Sequence, residues 1–176
     1  DLTSTFAQKA LRGETYTFPL QNVPNGTTAS LGIDLNNDGT ISANETFSTL
    51  SVAIPANAAI GKVAAKFTLN DGTSLDFKVT LKDDIQADRT VSVSSADDQQ
   101  GSVSIEGSNS LNVTGKDEVT MKATPKGGYD FLNWTDAQGN VVSTDNPYTY
   151  YGAAGATFRA NFIVNKWGSP EEDRSE

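Results

Sequence analysis

The stretch from residue 63 to 81 limits the possible fold more than any other part of this chain. Val63, Ala65, Phe67 and Leu69 alternate with Ala64, Lys66 and Thr68, and Leu75, Phe77, Val79 and Leu81 alternate with Ser74, Asp76, Lys78 and Thr80. A period of two puts one face of each run in a core and the other in solvent, so both runs read as half-buried strands. Asn70-Asp71-Gly72-Thr73 lies between them and carries the Asp-Gly pair of a tight hairpin. Nowhere does an apolar stripe of period 3.6 persist for three turns. The chain is expected to be mostly β.

Residues 16–20, 29–35 and 47–54 are further strand candidates, so the first half reads as five short strands, enough for a small β-sandwich. Residues 82–89 are polar and without a clear period, which places the junction there. The expected domains are a β-sandwich over 1–84, a linker at 85–89 and a second β module over 90–168. An acidic tail, 169–176, follows; Pro170-Glu171-Glu172-Asp173 has nothing apolar to bury and is expected to be disordered. In the second half, Val91 and Val93, then Val103 and Ile105, flank 96–101 in a hairpin pattern. Leu111 and Val113, Val119, Met121 and Ala123, and the aromatic-rich stretches 129–134 and 147–163 complete the module.

Composition removes whole classes of function. Without His or Cys there is no Ser-His or Cys-His dyad, no His or Cys zinc site and no disulfide. The net charge is −9, and Lys and Arg are not clustered along the sequence, which argues against nucleic acid as a partner. No apolar run approaches the roughly 20 residues of a membrane-spanning helix. The chain starts at Asp1 without an apolar signal segment, which reads as a processed or trimmed N-terminus.

One motif is suited to a metal. Asp34-Leu35-Asn36-Asn37-Asp38-Gly39-Thr40-Ile41-Ser42-Ala43-Asn44-Glu45 matches the calcium-loop pattern D-x-[DN]-x-[DN]-G-x₅-E at every specified position. Asp34, Asn36 and Asp38 would point oxygens inward, Gly39 would permit the turn and Thr40 would offer its carbonyl. Ser42 would contribute directly or through water, and Glu45 would close the site with two oxygens. An EF-hand needs helices on both sides, whereas 29–33 and 46–52 are strand sequences, so the loop is expected to join strands. The alternative is an Asp/Asn/Gly-rich turn that holds no ion.

The loop also carries a family resemblance. Gly32-Ile33-Asp34-Leu35-Asn36-Asn37-Asp38-Gly39, the following Glu45, and Ile54-Pro55-Ala56-Asn57-Ala58-Ala59-Ile60-Gly61 resemble the GEVED domain over about residues 14–82. Gly72-Thr73-Ser74-Leu75-Asp76-Phe77 is a faded counterpart of that family's namesake strand. Leu35 replaces its usual Trp, and the Arg-rich strand after the Pro motif is absent. The resemblance implies a β-sandwich module of bacterial secreted and cell-surface proteins.

A second resemblance lies in the other half. Ala123-Thr124-Pro125-Lys126-Gly127-Gly128-Tyr129-Asp130-Phe131-Leu132-Asn133-Trp134-Thr135-Asp136 is followed by Gly139-Asn140-Val141-Val142-Ser143, by Asn146-Pro147-Tyr148-Thr149-Tyr150 and by Ala160-Asn161-Phe162. Over 90–163 this is similar to the divergent internalin B-repeat, a small β module of bacterial surface proteins. No second Gly-Tyr-x-Phe-x-x-Trp occurs, so the copy is single, and the family brings no catalytic residues to carry over.

Together these readings imply a non-catalytic adhesion or scaffold module, extracellular or at the cell surface, monomeric, with calcium as a structural ion and a lipid anchor as one route of attachment. Its partner would be a surface protein or glycan. The rival is a carbohydrate-binding module that stacks sugars on Trp134, Tyr148, Tyr150, Tyr151 or Trp167; two or more exposed, coplanar rings would favour it. A two-carboxylate hydrolase is the remaining acid-base option without His, but the one dense acidic cluster is accounted for by calcium.

Overall fold

The computed structural model describes residues 8–165. The acidic tail and Trp167 lie outside the described residues. The chain divides into two compact units, Asp1–Asp84 and Ile85–Glu176. Among the described residues it is built from strands, with a single 3-10 turn at Ala43–Glu45.

Unit 1 holds β1 (Gln8–Leu11), β2 (Thr15–Thr17), β3 (Ala29–Ile33), β4 (Thr46–Phe47), β5 (Ser51–Ala53), β6 (Gly61–Leu69) and β7 (Ser74–Lys82). One sheet has the order β1-β7-β6-β3-β4 and a smaller one pairs β2 with β5. The 63–81 alternation becomes the antiparallel β6–β7 pair, in register from Gly61↔Leu81 to Thr68↔Ser74. Its Asp-Gly turn closes with the Gly72 amide on the Leu69 carbonyl at 3.0 Å, and Gly72 takes φ 93°. The inward residues Val63, Ala65, Phe67, Val79 and Leu81 pack with Phe18, Leu31, Ile33, Val52 and Ile54 in one core.

Two features of unit 1 differ from the sequence reading. Candidates 16–20 and 47–54 are shortened or split, because the Phe18 amide turns to the Leu50 carbonyl and residues 48–50 form a bend between β4 and β5. The five expected strands are therefore seven. The added β1 pairs parallel with β7, and its four residues are too short to show a period.

Unit 2 holds β8 (Arg89–Ser95), β9 (Gly101–Ile105), β10 (Asn112–Gly115), β11 (Val119–Pro125), β12 (Tyr129–Thr135), β13 (Val141–Ser143), β14 (Tyr148–Tyr150) and β15 (Ala156–Val164). They form two sheets, β10-β8-β15-β12-β13 and β14-β11-β9. Val91, Val93, Trp134, Phe158 and Ala160 from the first meet Ile105, Val119, Met121, Ala123, Tyr148 and Tyr150 from the second. The 96–101 hairpin expected from sequence does not form: β8 pairs with β10 and β15, and β9 pairs with β11. The connection instead crosses between sheets. Gly101 makes room for this, since a Cβ there would strike the Phe162 ring.

Arg89, assigned to the linker from sequence, opens β8 and is buried at 7% exposure. Its guanidinium donates to the carbonyls of Gly152 (3.0 Å), Gly115 (2.9 Å) and Asp117 (2.7 Å) and lies 5.8 Å from the Tyr150 ring centre. The side chain thus joins two loops that are far apart in sequence.

Candidate functional site

The acidic loop leaves β3 at Ile33 and returns through the 3-10 turn into β4, which pairs back on β3 (Leu31↔Phe47, Gly32↔Thr46). It is the connection of a hairpin. Main-chain bonds anchor it, among them the Asp34 amide on the Ala64 carbonyl (2.9 Å), the Asn37 amide on the Asp34 carbonyl (3.1 Å) and the Ala59 amide on the Leu35 carbonyl (2.7 Å). The last comes from the Ile54–Gly61 segment, so that segment and the acidic loop touch. Asn37 and Gly39 take φ 54° and 89°, the left-handed values that Asn and Gly adopt most readily.

All six predicted residues join one hydrogen-bond network. Asp34 Oδ1 accepts from the Asp38 amide (3.1 Å) and Oδ2 from the Gly39 amide (2.9 Å). Asn36 Oδ1 accepts from the Asp38 amide (3.3 Å), and Asp38 Oδ1 from the Thr40 amide (2.9 Å). Glu45 Oε1 accepts from the Ser42 amide (2.9 Å) and hydroxyl (3.1 Å), while Oε2 accepts from the Asn36 amide (3.3 Å). Asn44, which the motif leaves unspecified, accepts from the Ser42 hydroxyl. The Thr40 amide holds the Asp38 carboxyl below its ordinary value, with the Asp34 and Asn36 contacts adding to it.

Burial and charge frame the chemistry. Asp34 is 1% exposed and Glu45 5%, whereas Asn36, Asp38, Thr40 and Ser42 are exposed. One carboxylate oxygen from each of Asp34, Asp38 and Glu45 lies within 4.8 Å of the others. Opposite oxygens on one calcium ion stand about 4.6–5.2 Å apart, from the usual Ca–O distances, so the three fit around a single ion of that size. Among the described residues none of the three has an ion-pair partner. Buried carboxylates without a counter-cation are costly, and the oxygen-only donor set suits a hard cation.

The aromatic candidates fare differently. Trp134 is fully buried, and Tyr148 and Tyr150 are 8% and 7% exposed. Trp134 donates from Nε1 to the Asp145 carbonyl (2.8 Å), and Tyr150 from its hydroxyl to Ala154 (2.8 Å). Tyr148 and Tyr150 do share one strand face, but that face is the core. Tyr151, just past β14, is half-buried. These rings form no stacking platform among the described residues.

Residues 90–166 match the family model of the divergent InlB B-repeat domain. This part of the chain is therefore similar to a β module of bacterial surface proteins, of a kind that is typically non-catalytic. No curated protein matches the chain. Among solved structures, the fibronectin(III)-like modules of Clostridium thermocellum CbhA align over 93% of this chain and 94% of theirs, at 12% identity and a TM-score of 0.28. That score is too low to equate the folds. Among the described residues no helix is long and apolar enough to cross a membrane.

Proposed function

We propose that this chain is a non-catalytic adhesion or scaffold module of a bacterial cell-surface or secreted protein, with unit 1 stiffened by calcium. The match of residues 90–166 to the divergent InlB B-repeat domain carries the reading. Two β units without His or Cys offer rigid surface rather than acid-base machinery. Unit 1 is read as a diverged GEVED-type module, because its loop and its Pro motif are hydrogen-bonded to each other. Calcium would sit among Asp34, Asn36, Asp38, Thr40 and Glu45, with Ser42 outside. There it would offset two buried carboxylates and tie β3 to β4. Immunolabelling of intact source cells tests the location: labelling of whole cells is expected, and signal only after lysis would refute it.

A further inference from the structure

Lysines that are scattered in sequence converge on one face of unit 1. Along β6 and β7 the outward positions alternate with core residues and carry Lys62, Lys66 and Lys78, all exposed. On β1, Lys9 aligns with Thr80, which aligns with Lys62. Lys78 aligns with Ala64, and Lys66 with Gly32 on one side and Asp76 on the other. Lys62, Lys78 and Lys66 thus form a zigzag with steps of about 8 Å, the diagonal spacing of a sheet. Asp76 is the one acid in the five strands of this sheet. It stands 3.8 Å from the Lys66 ammonium, with both side chains largely in water.

A shallow trough of about 390 Å³ adjoins this row at Lys66. Ser30, Thr46 and Thr68 bring hydroxyls to it and Ala64 keeps its floor low; Lys66 lines it together with Gly39 and Ile41 of the acidic loop, Ile41 lying over Gly32. Like charges on sheet diagonals repel, so a chain of negative charges along the row would be attracted on both counts, by removing repulsion and by pairing.

We propose that this lysine-bearing face binds a linear anionic polysaccharide, carboxylated or sulfated, lying along β6 with its acid groups on Lys62, Lys78 and Lys66. The inference deepens the surface-module reading and rests on it. An acidic peptide would be held by strand addition at a sheet edge or by side chains in apolar pockets. This is a sheet face, and its trough sets the hydroxyls of Ser30, Thr46 and Thr68 beside the Lys66 ammonium, which suits the hydroxyls and acids of a sugar chain.

The test is affinity electrophoresis of the full chain through gels containing heparin, polygalacturonate or neutral dextran, at low ionic strength with EDTA so that no metal bridges the acids. Retardation by one or both anionic polymers but not by dextran is expected, with affinity falling about tenfold or more in Lys62→Gln/Lys66→Gln/Lys78→Gln. The matching triple Arg variant should restore it, and Lys122→Gln/Lys126→Gln in unit 2 should leave it unchanged. No retardation of the wild type by either anion, or undiminished retardation of the Gln variant, would overturn the proposal. So would tighter binding to equimolar phosphatidylcholine/phosphatidylserine vesicles than to either glycan. Whole-cell labelling reads the surface assignment separately: a labelled chain that ignores both anions sinks this inference alone.

Discussion

Ile41 lies directly over Gly32: a Cβ on Gly32 would stand 2.7 Å from the Ile41 Cγ2. The acidic loop therefore folds back across its own strand, and it can do so because β3 carries no side chain at that point.

Gly32→Ala should displace Ile41 and loosen the loop. Overpacking of this kind costs about 1–3 kcal/mol. The expected outcome is a lower unit 1 melting midpoint by calorimetry, with unit 2 unchanged and faster hydrogen exchange at Asp34 and Asn37. Equal protection in both proteins would show that the Gly32–Ile41 contact does not hold the loop.

Calcium should raise the stability of unit 1. With a dissociation constant of about 10⁻⁴ M, typical of extracellular modules, 2 mM calcium adds roughly 1.8 kcal/mol, a shift of several degrees for a unit of this size. Asp38→Ala, at an exposed position of the motif, should abolish the difference between melts in calcium and in EDTA. Superimposable wild-type melts would reduce the loop to a turn.

Arg89→Lys should destabilise unit 2. A single ammonium cannot serve Gly152, Gly115 and Asp117 together, which the guanidinium does at 2.7–3.0 Å. Hydrogen bonds from charged donors are worth about 1.5–3 kcal/mol each, so a loss of about 2–4 kcal/mol in urea unfolding is expected. A change below about 0.5 kcal/mol, ordinary for a surface substitution, would mean that the loops are held by other contacts.

Burial, with the nearby Tyr150 and Asp145 charges adding to it, pushes the Tyr148 phenol above its ordinary value. The folded state therefore resists ionisation. Its stabilising share is intact below about pH 10, the unfolded phenol value, and is lost as pH rises beyond that. Unit 2 should lose stability above pH 10, and Tyr148→Phe should flatten that decline. An alkaline profile identical in the two proteins would assign the decline to other groups.

The calcium-loop pattern and the 63–81 hairpin were legible because both are local. Their residues lie within a few positions of one another, so spacing alone places Asp34, Asp38 and Glu45 on one loop and Phe67 and Phe77 on one face. Period two, however, reports only which residues share a face. It told nothing of whether Tyr148 and Tyr150 face solvent or core, and the second sheet of unit 2 decided that.

The sequence by itself determined the strand-rich character, the turn chemistry at Asp71-Gly72 and the spacing of the acidic residues from Asp34 to Glu45, since backbone preference and side-chain alternation act over short stretches. Only the tertiary structure decided that 96–101 crosses between sheets, that Arg89 is buried, and that Lys9, Lys62, Lys66 and Lys78 share one face. Strand partners are chosen by burial and pairing between segments far apart in the chain, so a charged surface assembled from three strands exists only once those strands have met.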